Sequence, residues 1–494
     1  MVPHGNASPS TSFCRWLFRV TANLHLPERP MEREQSRLAM ARIAVGLIVL
    51  WRTALIAISA RDYFPLATPD VAARPVGTEV ILAVAQCALA VLLTIGCATP
   101  VTCLLLLLTY SQCDRVLGTS TLGTNIFTIL LGMLFLLNAG ARYSVDAWLL
   151  KCTSLPSRIL HRLYSVFGNA SPEYMWCIYL LGFFAYGVLS FFALVFHVQD
   201  SYWVGGRTVE VMLTNTYLCR YPYVFRAFLV EYPDVMHCLS CAGVIGQSCF
   251  QLLMIPLLRW KKGYWFVLIW GLQFFVWSAF VLQLSYLPWL EFVLWWLILW
   301  PCRTRRVCEF IVRVPDCGPL QSVIVTYGCG ILFTFCLWTT FSTASGVSSS
   351  LVRALYYSHG LDVPNVFNAT DLQMGNVWPV VWRRTEGHDW LVPFHTEDGR
   401  KGDYLQSDVL YFGNSLRWRR MLIGQAAIEM NASGTVGHEL LRRVCQFDCR
   451  RNGLNERASY RVDIRTSQQG NVAILPSLRF QSENIGSIEI TVAP

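Results

Sequence analysis

The sequence predicts a mostly α-helical polytopic membrane protein, with about nine transmembrane helices and a small C-terminal α+β domain outside the membrane. Composition is the first reason. Of the 494 residues, 54% are hydrophobic and only 14% are charged, whereas a soluble domain carries roughly 25% charged residues. The second reason is that long apolar runs recur up to residue 343 and then stop. The chain therefore divides into a membrane part and a more polar C-terminal part.

The apolar runs of the membrane part are separated by short polar or basic stretches. An apolar helix of about 20 residues crosses a hydrocarbon core of about 30 Å. We therefore predict spanning helices at Leu38–Ser59, Thr78–Gly96, Thr99–Cys113, Leu122–Gly140, Tyr174–His197, Val235–Leu258, Gly263–Leu282, Leu284–Trp300 and Leu320–Thr343.

The basic residues predict the orientation. Lys and Arg are enriched in cytoplasmic loops, and basic clusters lie at 141–173, 259–262 and 302–314. These clusters share the cytoplasmic side if the N-terminus is cytoplasmic. The expected compartment is a bacterial inner membrane or the endoplasmic reticulum. The predicted parts are a cytoplasmic N-terminal segment (1–37), a transmembrane domain (38–344) and an extracytoplasmic α+β domain (345–494).

Alternating apolar residues and turn signals predict the secondary structure of the C-terminal domain. Trp378–Trp382 and Trp390–Phe394 are predicted as paired strands. Gly437–Arg450 is predicted as a helix, because Gly453 follows its end. Tyr460–Arg465 and Ser487–Val492 are predicted as further strands.

A candidate site lies at the end of the fifth apolar run. His197 ends that run, and Asp200, Trp203, Gly206 and Arg207 follow within one turn-rich stretch. We expect the segment after His197 to lie in the membrane interface, and His197, Asp200 and Arg207 to surround one polar mouth on the outer face. The alternative is an aromatic belt at the headgroups, with His197 as a polar tip.

Polar residues inside the apolar runs predict a pocket between helices. Arg52 and Glu291 cannot face lipid without a penalty, so a partner or a wet cavity is expected for each. Gln247, Gln251 and Gln273 are neutral and have a second interpretation, hydrogen bonding between helices that supports packing alone.

The 18 cysteines do not form a metal-binding pattern, and most lie inside apolar runs. One pair differs, because Cys238 and Cys241 form a C-x-x-C motif beside His237. That motif makes the two cysteines a redox candidate. The sequence contains no nucleic-acid-binding module. The expected partner of the apolar helices is the lipid bilayer.

Four stretches together resemble the HTTM family, the horizontally transferred transmembrane domain shared with vitamin K-dependent gamma-carboxylases. The first is LAMARIAVGLIVLWRT, and the second is LGTNIFTILLGMLFLLNAGARYSVDAWL. The third runs from Tyr186 to Trp203-Val-Gly-Gly206, and the last is HELLRRVCQFDCRRN in the C-terminal domain. The residues that carry the first two matches are Arg42, Gly46, Arg52, Gly140, Ser144 and Asp146.

The resemblance implies an interhelical pocket for a quinone-like lipid, a reduced, vitamin K-like quinone as cofactor, and an extracytoplasmic polypeptide as partner. It also implies an enzyme of the carboxylase and epoxidase type, a lyase or an oxidoreductase. The expected rim of the pocket is Tyr186, His197, Trp203, Gly206 and Arg207, with Arg52 and Gln273 deeper. Asp200, Gln247 and Gln251 are the other expected pocket residues.

The chain departs from the family at its titratable positions. His197, the candidate base, stands where the family commonly has a lysine, and glutamines replace a glutamate and a histidine. A glutamine cannot titrate. We therefore do not expect carboxylation itself, and the sequence leaves open a non-enzymatic alternative, a membrane assembly or protection module.

Overall fold

A computed structural model describes the two parts of the chain. The described residues are 31–58, 78–116, 122–152, 158–162, 164, 172–214, 218–282, 284, 286–300, 321, 323–331, 377–385, 388–397, 402, 404, 436–454, 457–467 and 482–492.

The membrane part is helical. Its helices are α1 (Met31–Ile58), α2 (Thr78–Ile95), α3 (Thr99–Val116), α4 (Leu122–Leu136), α5 (Val145–Leu149), α6 (Pro172–His197), α7 (Ser201–Val204), α8 (Thr208–Thr214), α9 (Pro222–Glu231), α10 (Pro233–Leu257), α11 (Lys261–Phe280) and α12 (Leu287–Ile298).

Among the described helices, four are long and apolar enough to cross a membrane. They contain Arg33–Ile58, Tyr174–His197, Pro233–Leu257 and Lys261–Phe280. The shorter apolar helices α2, α3, α4 and α12 match four more predicted spans. The ninth predicted span, Leu320–Thr343, lies mostly outside the described residues. Within it, residues 323–331 are described and are helical. In the predicted N-terminal segment 1–37, residues 1–30 also lie outside the described residues.

Helix α1 begins at Met31, earlier than the apolar run that predicted it. Its polar first turns contact the ends of other helices. The Tyr179 hydroxyl donates to the Glu34 carboxylate at 2.8 Å. Arg37 donates to two carbonyls near the C-terminal end of α12, where a helix leaves carbonyls without internal partners. These contacts keep the polar turns of α1 helical.

The connection after α4 is fixed by a buried arginine from α1. Arg42 donates to the carbonyl of Ala139 at 3.0 Å and to that of Tyr143. The Asp146 carboxylate accepts from the backbone amides of Ala98 and Thr99, both at 2.6 Å. Two of the family-like stretches therefore meet at one end of the bundle, where they join α1, α3 and α4.

The opposite helix ends also contact each other. Cys219 forms an isolated antiparallel bridge with Leu282, and the Arg220 amide donates to the Val281 carbonyl at 2.8 Å. These residues follow α8 and α11, respectively. The segment after α8 is thus joined to the end of α11 through backbone groups.

In its described residues, the C-terminal domain is an antiparallel sheet with one helix. Its elements are β1 (Val377–Thr385), β2 (His388–Leu391), α13 (Val436–Arg451), β3 (Ala458–Ser467) and β4 (Ser482–Val492). The strand order is β2-β1-β3-β4. The predicted strand pair, with Trp382 opposite Leu391, is confirmed, and so are the helix and the two later strands.

The core of this domain includes residues of the bundle. Ile56 of α1 and Ala83 of α2 belong to the same buried apolar cluster as Val381, Leu441 and Val462. The domain therefore lies against the C-terminal end of α1 and the N-terminal half of α2. These are the helix ends joined by the predicted outer loop after the first span.

Candidate functional site

Glu291 on α12 is a buried carboxyl group inside the helix bundle. Its side chain is 2% exposed, and its Oε1 accepts a hydrogen bond of 2.9 Å from the Tyr186 hydroxyl of α6. Its Oε2 has no hydrogen-bond partner among the described residues. Half of the acceptor capacity of the carboxyl group is therefore unused.

Aromatic rings pack next to Tyr186, the hydrogen-bond partner of this carboxyl group. Trp295 follows Glu291 by one helical turn, and its ring centroid lies 5.0 Å from that of Tyr186. The Trp295 ring also contacts Phe250 and Phe275, with centroids 5.9 and 5.1 Å away. Tyr186, Glu291, Trp295, Phe250 and Phe275 are called the Glu291 site below. Four helices, α6, α10, α11 and α12, contribute to it.

A glycine allows α11 to approach this site closely. A Cβ atom on Gly271 would lie 2.5 Å from the indole nitrogen of Trp295. Real Cβ atoms do not make contacts of that length, so a larger residue would push α11 away from α12. The absence of a side chain at Gly271 therefore keeps the Trp295 ring between the helices.

The chemistry of the Glu291 site follows from its unused oxygen. A buried carboxyl group without its full set of hydrogen bonds costs free energy, and ionisable groups at membrane depth commonly serve a function. Oε2 can accept a hydrogen bond from a ligand hydroxyl, and the aromatic rings offer apolar contacts to a planar ligand. The residues present therefore fit a hydroxyl-bearing aromatic molecule.

His197 lies buried against Trp203. The two rings stack with centroids 4.2 Å apart and an angle of 9° between their planes. Trp203 donates from its indole nitrogen to Ser248 of α10 at 3.0 Å. His197 Nδ1 has no partner among the described residues, so the ring retains one unused polar atom.

The three residues of the predicted cluster, His197, Asp200 and Arg207, differ in burial. Asp200 is buried and caps α7, because its Oδ1 accepts from the Tyr202 amide at 2.8 Å. Gly206 then turns the chain with φ +69°. Arg207 is exposed, and in the described part of the chain its side chain makes no hydrogen bond or ion pair. The clustering of Arg207 with His197 therefore stays a prediction.

The segment after this turn is largely buried against other helices. Of the seven residues of α8, six are buried, including Glu210 and Met212. The helix packs against α10, where Ser240 accepts from the Glu210 amide at 3.1 Å. The predicted position of this helix in the membrane interface stays a prediction.

The three glutamines have three different environments. Gln247 accepts from the Trp270 indole nitrogen at 3.1 Å, which joins α10 to α11. Gln251 is buried, and its side-chain oxygen has no partner among the described residues. Gln273 is exposed on α11. The prediction that Gln273 lies deep in the pocket was wrong, because it is on the outer face of its helix.

Arg52 lies among aromatic residues. Its guanidinium lies over the ring of Tyr286, 4.2 Å from the centroid, and donates to the Tyr110 hydroxyl. The Tyr286 hydroxyl lies 3.1 Å from the Thr124 hydroxyl. The faces of aromatic rings attract cations, which partly offsets the cost of the buried positive charge. Arg52 thus links α1, α3, α4 and α12.

Cys238 and Cys241 are both free thiols. Cys238 is exposed, whereas Cys241 is partly buried and has its Sγ 3.6 Å from His237 Nε2. No group of three or more His, Cys, Asp or Glu among the described residues could hold a metal ion. The polar neighbour of the Cys241 thiol is His237, which lies on the same helix.

Sequence reasoning named Glu291 as a polar residue but did not place it in the site. Its partner Tyr186 lies 105 residues away in the chain, and nothing local shows that the two meet. Glu210 was missed completely. The available signal was an acidic residue in the otherwise apolar stretch of α8.

No protein-family model matches this chain, and neither a curated protein nor a solved structure shows a significant similarity to it.

Proposed function

We propose that this protein is an integral membrane protein of the HTTM type that holds a quinone-like lipid, in its reduced form, at the Glu291 site. The observation that carries this proposal is the Glu291 carboxyl group, which is buried against Tyr186 with one oxygen unpartnered among the described residues. A hydroquinone brings the two features that the site can use, a planar ring and a hydroxyl donor.

Each residue of the site has a distinct task in this proposal. Glu291 Oε2 accepts the hydrogen bond of the ligand hydroxyl, while the Tyr186 hydroxyl holds Oε1 and fixes the carboxyl orientation. The rings of Trp295, Phe250 and Phe275 exclude water and line the ligand plane. A bound hydroquinone supplies reducing equivalents, and Glu291 is the group positioned to accept or return a hydroxyl proton.

His197 is less suited to the role of base. Its ring is stacked on Trp203 and is 3% exposed, so an extracytoplasmic substrate does not reach it in this conformation. Its stacking supports a structural role, which is to hold α7 against the end of α6. The proposed activity is therefore ligand binding with redox or proton exchange, and gamma-carboxylation is not part of it.

The proposed partner is an extracytoplasmic polypeptide that meets the C-terminal domain. Among the described strands, β2 lies at one edge of the sheet, and all four of its residues are exposed. Trp390 on this strand is 57% exposed. An edge strand offers unpaired backbone groups to an added strand, which is the physical basis for expecting a peptide there.

The test is the lipid content of the purified protein. We expect organic extracts of the detergent-solubilised protein to contain a quinone by mass spectrometry, and we expect Glu291→Leu to reduce its amount by on the order of tenfold. Gln273→Leu is the matched control, because Gln273 is exposed on α11 and should change nothing. Extracts without a quinone from a protein that retains its fold would contradict the proposal.

One observation favours the non-enzymatic alternative, a membrane assembly or protection module. Gln247 bonds to Trp270 between two helices, which uses a polar residue for packing alone. If the extracts contain no quinone while a membrane protein copurifies with the chain through its helices, the assembly module becomes the better assignment.

A further inference from the structure

Three side chains outside the Glu291 site form a connected cluster at the N-terminal end of α10. Glu210 Oε2 lies 3.5 Å from His237 Nδ1, and His237 Nε2 lies 3.6 Å from Cys241 Sγ. The order is carboxylate, imidazole, thiol, with one ring nitrogen toward each neighbour. Glu210, His237 and Cys241 are called the thiol cluster below.

The backbone around the thiol cluster is arranged to hold it. Ser240 donates to the Gly206 carbonyl at 2.5 Å and accepts from the Glu210 amide at 3.1 Å, so it joins α8 to α10. A Cβ on Gly206 would lie 2.5 Å from Cys241 Sγ. The glycine therefore leaves room for the thiol beside α8. Ser240 fixes the position of Glu210 relative to α10.

The arrangement matches the requirements of an activated thiol nucleophile. A thiol reacts as its thiolate, and a histidine within reach can take the proton when a carboxylate orients its other nitrogen. Glu210 is buried and His237 is about half exposed. An incoming group thus reaches the imidazole and the thiol from outside, while the orienting carboxylate stays protected from water.

The surface next to Cys241 indicates the kind of substrate. Ile245 and Leu252 follow Cys241 at four and eleven residues, the spacing of one helix face. They are 63% and 52% exposed. Two exposed apolar side chains therefore follow Cys241 on this face of α10. A long acyl chain attached to Cys241 would pass Ile245 and Leu252 along this face inside the bilayer.

We propose that Cys241 is an acyl-accepting nucleophile that takes a long-chain acyl group from a membrane-associated acyl donor. His237 Nε2 accepts the proton of the Cys241 thiol, and Sγ attacks the carbonyl carbon of the donor. The new bond is the carbon–sulfur bond of an acyl-cysteine thioester. The bond that breaks joins the acyl carbon to the oxygen or sulfur of the donor, and that leaving atom receives the proton from His237. No oxidant or reductant is consumed.

The experiment uses the full-length protein in phospholipid vesicles with alkyne-tagged acyl donors. One arm carries the tagged acyl chain on a phospholipid, and the other supplies it as a soluble acyl-coenzyme A thioester. Peptide mass spectrometry reads the label at each cysteine, and hydroxylamine release identifies a thioester. Cys249 is the internal control, because it is exposed on the same helix and lacks a histidine partner among the described residues.

We expect hydroxylamine-sensitive label on Cys241 at least tenfold above Cys249 in one of the arms, and the arm that labels identifies the donor. His237→Ala should lower the labelling rate on the order of 100-fold, as the loss of a general base does, and Glu210→Gln should lower it less. Labelling of Cys249 should stay unchanged in both variants, which shows that the fold is intact. Equal labelling of the two cysteines, an unchanged rate in His237→Ala, or no label from either donor would overturn the proposal.

Discussion

The buried carboxyl groups of Asp448 and Glu291 lie in two regions of the molecule and have different surroundings. Asp448, in the C-terminal domain, accepts from Tyr404 and Asn452 at one oxygen, and from Tyr460 and Arg383 at the other. Glu291, in the helix bundle, accepts from Tyr186 alone among the described residues. A saturated carboxyl group stabilises a fold, whereas a half-used one in the same degree of burial costs stability and points to a ligand.

The largest expected effect comes from breaking the saturated group. Asp448→Ala removes the acceptor of two tyrosines and the partner of Arg383, and it leaves their polar atoms buried. We expect the C-terminal domain to lose about 3–5 kcal/mol, the usual result of removing one partner of a buried pair. Hydrogen exchange of residues 377–492 within the full chain measures the loss.

The control for this prediction is Asp389→Ala. Asp389 is partly exposed and pairs with Arg461 at 2.8 Å, so its loss should cost less than about 1 kcal/mol. If both variants unfold the domain equally, Asp448 is not the group that organises it.

The half-used group should respond in the opposite way. The double variant Tyr186→Phe and Glu291→Leu replaces both partners of a buried hydrogen bond by apolar groups of similar size. Such replacements are often neutral or stabilising, so we expect a change of unfolding free energy within about 1 kcal/mol. Thermal unfolding of the detergent-solubilised, delipidated protein checks this. A loss as large as that of Asp448→Ala would remove the contrast between the two regions.

The next largest effect is expected at alkaline pH, on the stability of the C-terminal domain. Burial, and then the bond to Asp448, raises the pKa of Tyr404 to about 12; burial and Asp448 also raise the pKa of Tyr460. An unfolded tyrosine titrates near pH 10. Because the folded pKa is raised, this stabilisation is complete below about pH 10 and is lost as the pH rises toward about 12.

The measurement is hydrogen exchange of α13 and β3 across this pH range after correction for the intrinsic exchange rate. Tyr404→Phe should flatten the pH dependence, because it removes one of the titrating hydroxyls. A domain whose corrected stability is constant from pH 9 to 12 would show that these tyrosines do not titrate with unfolding.

Much of the fold follows from local sequence patterns. The strand pair around Trp382 and the helix Val436–Arg451 were predicted, because alternation, glycines and apolar spacing are local signals. The long apolar helices were predicted for the same reason. The start of α1 was not, since its polar first turns are kept helical by Tyr179 and α12, which are distant in the chain.

The site was less predictable than the fold. Sequence reasoning placed Arg207 beside His197, and it did not predict that His197 is buried while Arg207, after the left-handed turn at Gly206, is exposed. It grouped Gln273 with the pocket, although helix rotation, which is set by packing against neighbours, leaves that residue exposed. It separated Tyr186 from Glu291 because a hydrogen bond between distant helices has no local pattern.

The smallest expected effect comes from Arg207→Ala. Arg207 is exposed and without a hydrogen bond or ion pair in the described part of the chain, so its loss should change unfolding free energy by less than about 0.5 kcal/mol. The quinone content should also be unchanged. A lower quinone content in this variant would bring Arg207 back into the site.

The contrast between the two carboxyl groups predicts one place for the ligand, and photo-crosslinking tests that prediction most directly. An azido-quinol added to the delipidated, full-length protein should label the peptide containing Leu287–Ile298, and Glu291→Leu should abolish that label while Gln273→Leu retains it. Equal labelling in the Glu291→Leu variant, or label confined to exposed residues of the bundle, would contradict the assignment of the unused Glu291 oxygen to a ligand.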